Sequence, residues 1–333
     1  MRFLLDAEQR AFASSLDAML ASADTPSAVR AWADGDHAPG RVLWSRLAEA
    51  GVFALAVPEV YEGVGLLPVE LAVAFVELGR HAVPGPVVET VAAAVLLGEL
   101  SALGEPGPAE RLLPGLASGK SVATFAPDGA PALDADAATV LLAVDGRGLW
   151  LAPGPGPVRV SVDRARRLAR AQVGGELLAA GPQVARAAVR ALVWARLATA
   201  AQALGVGLAL LGRTVAYVGR RTQFGVPVAS FQAVKHRLAD AMIALEFARP
   251  LLFGAALSMA PAEVAAAKVT ACEAAYATAR AALQLHGAIG YTAEYDLSLW
   301  FTKARALRTA WGTPAECRAE ALAGLSGAGR PRS

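Results

Sequence analysis

The sequence predicts a mainly α-helical protein with a small β insert, and three observations support this prediction. Hydrophobic residues make up 55% of the 333 residues and charged residues 18%, which allows a large buried core. Apolar residues recur at helical spacing in the first third of the chain and again through its last half. Between these stretches, short β-prone runs alternate with turns rich in Gly and Pro. We therefore predict an N-terminal helical domain at 1–117, a reduced middle β domain at 118–178 and a C-terminal four-helix bundle at 179–325.

The composition excludes several classes of function. The formal net charge is +2, from 31 basic and 29 acidic groups, so no strong field attracts nucleic acid. Cys272 and Cys317 match neither a redox pair nor a metal-ligand spacing, which favours a reducing, cytoplasmic compartment and no metal site. The longest uncharged run, between Arg196 and Arg213, spans about 16 residues, short of the roughly 18 to 20 that cross a bilayer. We therefore expect a buried helix there and no membrane span.

The N-terminal domain begins with an amphipathic pattern. Asp6, Glu8 and Asp17 interrupt the apolar residues, which a secretory signal would exclude. Helical spacing continues in RVLWSRLAEAGVFAL and in VELAVAFVELGRHAV. The Gly- and Pro-containing stretches Pro58–Pro68 and Pro84–Pro86 separate these helices.

The middle and C-terminal parts differ in periodicity. The runs SVATFAP, ATVLLAV, GLWLAP and VRVSV predict few, short strands, and hence one compact sheet or half-barrel. Ala-rich helices are predicted at about 184–220, 230–258, 261–289 and 293–308, which gives a four-helix bundle. The segment 326–333 lacks apolar periodicity, and we expect it to be disordered.

One constellation stands out, because metalloprotease, serine-hydrolase and phosphate-loop motifs are absent. Two arginines end a long helix at Tyr217–Gly225, and a polar, aromatic turn follows. The planar fork of Arg221 suits a phosphate, Gln223 and Gln232 offer amides, and Phe224 offers a stacking face. These groups suit an adenine dinucleotide. The alternative is an ordinary cationic helix end that complements the helix dipole.

This stretch resembles the signature of the acyl-CoA dehydrogenase family. The segments 51–86 and 284–313 resemble the family's N- and C-terminal segments, in the right order. The resemblance implies three domains (helical, β, four-helix bundle), FAD as cofactor and α,β-desaturation of an acyl-CoA thioester. It also implies that some residues hold the ADP half of a neighbouring subunit's FAD, namely Arg221, Gln223, Phe224, Gln284 and Gly287. Ala288 replaces the second glycine of the last motif, and Gln232 lies beside these positions.

Departures from the family concern the catalytic base. The resemblance places the glutamate base just before Gly312–Thr313, but this residue is Trp311. The other family position precedes Arg196, and it holds Ala195. Trp311 either fills the lost acyl pocket or is an ordinary core tryptophan. Arg196 lies either near the substrate mouth or on a solvated helix start. Glu316 is five residues beyond the expected position, and neither His236 nor His286 is assigned a catalytic role.

The middle domain departs as well, because the family's Thr-Glu-Pro and Gly-Ser-Asp run has no counterpart here. Together these features resemble the base-lacking subunit of actinobacterial heteromeric acyl-CoA dehydrogenases. That resemblance implies an α2β2 assembly with a second acyl-CoA dehydrogenase-like chain that supplies the glutamate. It also implies a bulky substrate, such as a sterol side-chain CoA, and an electron acceptor such as an electron-transfer flavoprotein. Two alternatives stay open: a homo-oligomeric flavoenzyme with an unrecognised base, and a flavin-free structural or regulatory homologue.

Overall fold

The computed structural model describes residues 5–127 and 129–328. Within them, helices dominate and the strands are short. The helices are α1 Ala7–Ala21, α2 Thr25–Ala33, α3 Ala38–Glu49, α4 Pro68–Arg80, α5 Val87–Ala102, α6 Gly107–Ala117, α7 Pro182–Arg220, α8 Gln232–Ser258, α9 Pro261–His286, α10 Leu297–Leu307 and α11 Pro314–Ala328. The strands are β1 Ala56–Val57, β2 Gly65–Leu66, β3 Ala123–Ala126, β4 Ala132–Leu133, β5 Val140–Asp145, β6 Gly148–Leu151, β7 Arg159–Val160, β8 Arg167–Ala169, β9 Glu176–Ala180, β10 Thr222–Gln223 and β11 Val226–Pro227.

Local chemistry sets several helix ends. Asp6 and Gln9 form a capping box at the start of α1, where each side chain accepts a backbone N–H of the other residue. Helix α8 ends at Met259, which has a left-handed φ of 49°, and α9 begins two residues later at Pro261. Backbone chemistry therefore separates these two long Ala-rich helices close to the break predicted between 258 and 261.

The β segment forms two small sheets. The order in one is β3-β5-β6-β9, with β3 parallel to β5 and the other pairs antiparallel. The order in the other is β4-β8-β7, with antiparallel pairs. The prediction of one compact sheet or half-barrel was therefore wrong. The chain alternates between the two sheets, which strand propensity alone does not reveal.

The chain forms two compact units. One contains α2, α3, α5, α6 and both of these sheets, and includes residues 23–71 and 83–195. The other contains α1, residues 72–82 of α4 and its flank, and the chain from Arg196 through α11. In this second unit, Trp300, Leu307 and Cys272 belong to a core of largely small side chains.

Two helices of the second unit touch through glycine. A Cβ atom at Gly205 in α7 would lie 1.9 Å from the carbonyl oxygen of Val76 in α4. A Cβ at Gly79 in α4 would lie 2.0 Å from the carbonyl oxygen of Gln202. Only glycine permits such an approach of two backbones, so these residues fix where α4 crosses α7.

The predicted fold class, mainly helical with a small β part, is confirmed. The predicted helix at 261–289 ends at His286, because Gly287 at φ 63° leads into a short 3₁₀ turn. The helices predicted from the sequence did not include α11, Pro314–Ala328. The predicted disordered tail at 326–333 overlaps the end of α11 at Ala328, and 329–333 lie outside the described residues.

Among the described residues, two helices are long and apolar enough to cross a membrane by length and composition, α7 and α8. In α7, 78% of the most apolar window is buried, as in a core helix. In α8 the corresponding share is 39%. The buried helix expected between Arg196 and Arg213 is thus part of α7.

Candidate functional site

The polar, aromatic turn that stood out in the sequence is a β-hairpin at the end of α7. Strands β10 and β11 pair antiparallel, and Phe224 and Gly225 form the tip with φ values of 53° and 79°. Two successive positive φ values are typical of a tight hairpin turn. Arg221 joins the helix to the hairpin, and its N–H donates to the carbonyl of Tyr217. The hairpin therefore projects Arg221 and Gln223 from a rigid base.

The hairpin is exposed. Phe224 is 93% exposed, and its only described ring contact is edge-on to Phe231 at 6.2 Å between centroids. A phenyl ring held almost entirely in water offers a face for a planar or apolar ligand. Gln223 is exposed as well, and its amide N–H₂ donates to the carbonyl of Thr222.

Contacts between side chains bring the end of α9 to the same place. The ring of Tyr217 in α7 stacks on His286 at 4.2 Å, and its hydroxyl donates to the His286 carbonyl at 3.4 Å. The guanidinium of Arg237 in α8 donates to the side-chain oxygen of Gln284 in α9. The end of α7, the start of α8 and the end of α9 therefore converge. Of the predicted site residues, Gln284 takes part in these contacts directly, Arg221, Gln223 and Phe224 follow the end of α7, Gln232 begins α8, and Gly287 and Ala288 follow the end of α9.

Electrostatics at this convergence favour an anion. Helix α8 starts at Gln232, and its N-cap residue, Phe231, provides no side-chain hydrogen bond to the first turn. The free backbone N–H groups of a helix start carry partial positive charge. Three full positive charges lie nearby in sequence. Arg221 directly precedes the hairpin, and Lys235 and Arg237 lie three and five residues after the start of α8 at Gln232. Pyrophosphate is the part of FAD that such groups bind, so the residues present fit the ADP half of the cofactor.

His286 is enclosed beneath this region. Its Nδ1 lies 2.8 Å from the carbonyl of Ala282, to which it donates, and its side chain packs between Tyr217 and Tyr295. Burial lowers the pKa of His286. The imidazole is thus held neutral and serves packing, whereas His236 lies exposed on the first turns of α8.

The second region contains the positions where the family resemblance implies a glutamate base. The guanidinium of Arg196 in α7 donates through Nε to the carbonyl of Trp311 at 2.9 Å and through Nη1 to the carboxylate of Glu320 in α11. Arg196 is 6% exposed. Of the two sequence interpretations, the solvated helix start does not fit this burial. The guanidinium is instead engaged by the backbone and by a carboxylate.

A buried lysine holds the next carbonyl. The Nζ of Lys268 in α9 donates to the carbonyl of Arg308 at 3.0 Å and to that of Gly312. Lys268 is fully buried. Trp311, whose carbonyl accepts from Arg196, directly precedes Gly312 and has a left-handed φ of 57°. We call Arg196, Lys268 and the two carbonyls of 311 and 312 the cation clamp. The clamp fixes a backbone turn that a bulky residue rarely adopts.

The carboxylates near the clamp are committed to other contacts. Glu316 accepts from the N–H of Thr313 at 2.7 Å and from its hydroxyl at 3.0 Å, which caps the start of α11. These hydrogen bonds lower the pKa of Glu316, so it is a weak base. Glu320 pairs with Arg196. Ala195 is buried, Trp311 is half-buried, and neither can accept a proton.

The β segment contains a cavity of about 550 Å³. Its wall is mostly small, with Ala126, Ala143 and Ala152 beside Trp150. The charged groups at this cavity are Asp145, Arg147 and Arg170. No Thr-Glu-Pro run lines it, in keeping with the loss of that motif from the sequence.

Sequence reasoning missed three residues that the structure brings into these regions, Arg237, Lys268 and Glu320. Lys268 carried a usable signal, because it interrupts the apolar stripe of an Ala-rich helix. Glu320 carried none, since it is 124 residues from Arg196.

Comparison with known proteins shows the family and the fold of the chain. The family models described as the acyl-CoA dehydrogenase N-terminal and C-terminal domains match residues 6–120 and 185–321. Acyl-CoA dehydrogenase IpdE2 of Mycobacterium tuberculosis is 33% identical over 89% of this chain and 91% of its own. The solved Tcur3481-Tcur3483 steroid ACAD G363A variant is 26% identical, covers 96% of this chain and 99% of its own, and superimposes with a TM-score of 0.81. A chain in the crystal structure of the ChsE4-ChsE5 complex from M. tuberculosis is 24% identical, with 100% of this chain and 100% of that chain covered. Its TM-score is 0.86, which shows a likeness of fold.

Proposed function

Because the chain belongs to the acyl-CoA dehydrogenase family, we propose that it is the base-lacking subunit of an FAD-dependent acyl-CoA dehydrogenase. In this proposal a second, unlike acyl-CoA dehydrogenase-like chain supplies the glutamate that removes the substrate's α-proton. The two chains form an α2β2 enzyme that introduces an α,β double bond into an acyl-CoA thioester.

The observation that carries this proposal is the cation clamp. At the position of the base stands Trp311, and its carbonyl is held by Arg196, whose other partner is Glu320. A carboxylate that acts as a general base needs raised basicity and must face the substrate. Glu316 and Glu320 are both tied to donors, so neither fits this role.

The convergence of α7, α8 and α9 supports the other half of the proposal. Arg221 would pair with the pyrophosphate of the shared FAD, and the uncapped start of α8 would add backbone N–H groups. Phe224 would cover an apolar face of the cofactor. Gln232, Gln284, Gly287 and Ala288 would line the approach. When bound, FAD supplies the acceptor for the hydride that leaves the substrate's β-carbon.

The reduced middle domain, proposed at 118–178, supports sharing of the flavin. Ala126 and its small neighbours replace the family's flavin- and substrate-contacting run. The similarity to a steroid ACAD whose name joins two components supports a bulky, sterol-type acyl group and two unlike chains. An electron-transfer flavoprotein would receive the electrons, and the enzyme would work in the cytoplasm.

The test uses the visible spectrum and mass of the chain purified alone and after co-expression with a second acyl-CoA dehydrogenase-like chain from the same organism. We expect flavin absorbance and an α2β2 mass only on co-expression, with roughly one FAD per unlike pair. Dehydrogenase activity should disappear when the partner's glutamate is replaced by Gln. Flavin bound by the lone chain, or full activity from it, would contradict the division of labour.

A further inference from the structure

Three side chains of metal-binding type meet where α1 lies beside the end of α4. Asp17 is on α1, Glu77 is on the last turn of α4, and His81 directly follows that helix. All three belong to the same compact unit. One ligand atom of each residue lies within 4.8 Å of the ligand atoms of the other two. We call these three residues the α1–α4 cluster, and none of them belongs to the candidate cofactor site or to the cation clamp.

The backbone holds two of these residues on one side of α4. The N–H of His81 donates to the carbonyl of Glu77 at 3.1 Å, so helical hydrogen bonding continues through His81. Residues four apart project from one helix face, whereas Gly79 between them lies on the opposite face, where it meets α7. The contact with α7 therefore fixes the backbone of this turn, and the other face presents Glu77 and His81 to α1.

Glu77 is buried without a hydrogen-bond donor. The residue is only 8% exposed, and among the described residues no group donates a hydrogen bond to its carboxylate. Its ion pair is with Arg80, whose Nε lies 3.4 Å from Oε1 but has no hydrogen-bond acceptor in the described part of the chain. Burying a carboxylate in this way is costly, and such a group marks the place of an ion or a water molecule.

The donor set selects the kind of ion. One imidazole nitrogen and two carboxylate oxygens suit Zn²⁺, whereas Mg²⁺ and Ca²⁺ prefer oxygen ligands alone. Nε2 of His81 lies 2.7 Å from Oδ1 of Asp17. Two ligands of a tetrahedral Zn²⁺ are about 3.3 Å apart, so this pair must open by about 0.6 Å. The Asp17 side chain is 57% exposed, which leaves it room for this rotation.

The surrounding charges are compatible with a dication. Asp17 and Glu77 supply two negative charges, which match those of Zn²⁺. The side chain of Arg80 is 38% exposed, so its guanidinium can turn into solvent when an ion binds Glu77. Arg249 of α8 also acts on Glu77 electrostatically, but it donates to the carboxylate of Glu246 at 3.3 Å. Its charge is therefore balanced by a carboxylate outside the cluster.

We propose that the α1–α4 cluster is a zinc site, in which Asp17, Glu77 and His81 bind one Zn²⁺ and water completes the coordination. The ion joins α1 to the turn of α4 that meets α7, so it stabilises the packing of the first helix. Cysteine spacing predicts no metal site, but this ligand set contains no cysteine, and Asp17 is 64 residues from His81. The inference depends neither on flavin and catalysis nor on an unlike chain.

Zinc titration of the full chain, purified and freed of metal with a chelator, tests the proposal. Isothermal titration calorimetry should give one Zn²⁺ per chain, and Mg²⁺ in about 100-fold excess should not compete. Zn²⁺ should also raise the melting temperature of the chain, because it binds the folded state. Amide hydrogen exchange in α1 should slow when Zn²⁺ is added, since the ion ties this helix to α4.

Two matched pairs of variants separate this site from adventitious binding at the surface. His81→Gln should weaken Zn²⁺ binding by about 100-fold or more, whereas His236→Gln, at an exposed histidine of α8, should leave it unchanged. Glu77→Gln keeps the size of the buried side chain and should weaken binding by a similar factor. Glu49→Gln, at an exposed glutamate, should not.

Asp17→Asn keeps the proposal testable if a change at the buried positions prevents folding, because Asp17 is exposed. This variant should fold as the wild type does and should lose at least about 10-fold in Zn²⁺ affinity. A wild-type chain that binds no Zn²⁺ up to about 100 μM, or Zn²⁺ affinity that is equal in the wild type and Asp17→Asn, would overturn the zinc site. Because no readout involves flavin, that result would leave the proposed shared cofactor site untouched.

Discussion

Trp311 combines an unfavourable backbone conformation with two strong backbone contacts. Its φ of 57° costs of order 1 kcal/mol or more for a residue with a bulky side chain. Arg196 and Lys268 donate to its own carbonyl and to the next one. Hydrogen bonds from charged donors contribute about 1.5–3 kcal/mol each, enough to offset the strain. The turn therefore persists without a glutamate.

A buried carboxyl group in the β segment should make stability depend on pH. Asp134 is fully buried, and burial raises its pKa to about 8 although the N–H of Arg167 donates to it. The folded state thus holds a proton that the unfolded state, with a pKa of 3.8, releases. The free energy of unfolding should fall as pH rises from about 4 to about 8.

Replacing Asp134 by Asn should remove this loss. Asn offers one acceptor and one donor, as the protonated carboxyl does, and it tolerates the φ of 49° at this position. We expect Asp134→Asn to raise the free energy of unfolding at pH 8 by at least about 1 kcal/mol and to leave it nearly unchanged at pH 4. Urea unfolding at the two pH values measures this difference.

The control for Asp134 is Asp145→Asn, at an exposed carboxyl whose pKa is lowered, mainly by the N–H of Arg147. This variant should give no gain at pH 8. An equal gain in both variants would show that general charge, and not burial of Asp134, governs the pH dependence.

Arg221 is the residue on which the proposed shared cofactor site depends most. In the unlike pair, Arg221→Lys should weaken FAD binding roughly 10-fold, because the ammonium cannot form the paired N–H contacts of a guanidinium. Fluorescence titration of the flavin-free pair measures the change. Arg186→Lys, at an exposed arginine of the same helix, should leave affinity unchanged. Equal affinity in wild type and Arg221→Lys would exclude Arg221 from the site.

At the scale of elements, the crossing of α4 and α7 depends on the absence of side chains. Gly205→Ala would force a Cβ to 1.9 Å from the Val76 carbonyl oxygen, so the helices must separate. We expect a loss of about 3 kcal/mol or more in the free energy of unfolding. Gly212→Ala in the same helix meets no atom within 4 Å and should stabilise by roughly 0.5–1 kcal/mol. Denaturant unfolding of the two variants separates close contact from helix propensity.

Elements were predictable where local chemistry determines them. The start of α9 at Pro261 agreed with the sequence prediction because a proline fixes it, and α7 ended at Arg220 where the apolar spacing stops. The sequence prediction did not include α11, although Thr313 and Glu316 form a capping pair at its start. The prediction of a single sheet was wrong because strand pairing, such as that of β3 with β5, joins strands that are not adjacent in sequence.

The site was predictable to a similar extent. The end of α7 and the hairpin of β10 and β11 are local in sequence, so the residue types at Tyr217–Gly225 could be recognised directly. The partners of Arg196 and Lys268 come from other helices, and only the fold determines that a lysine in α9 reaches the carbonyl of Gly312. Residue identity therefore indicated which functional group was missing, whereas the structure was needed to show what holds its place.

For the whole molecule, the exposed apolar residues of α8 and the exposed hairpin imply that stability depends on bound partners. Anything that binds the folded state and not the unfolded one raises the melting temperature by mass action. Titration with the unlike chain should therefore raise the Tm of this chain progressively, by several degrees at saturation, in differential scanning fluorimetry. FAD without the partner should shift it little. A Tm that FAD alone raises as much would point to a complete flavin site in this chain.

If the chain lacks its own base, as we propose, the cation clamp also makes that loss hard to undo. A glutamate restored at position 311 would sit beside the guanidinium of Arg196, which lowers a carboxylate's pKa and with it its power to take a proton. Removing Arg196 would in turn strand Glu320 and release the Trp311 carbonyl. Reversal thus needs several coordinated substitutions, none of them useful alone. In the proposed assembly, substitutions at the contacts with the unlike chain are therefore easier to accumulate than the set that would restore a base in this chain.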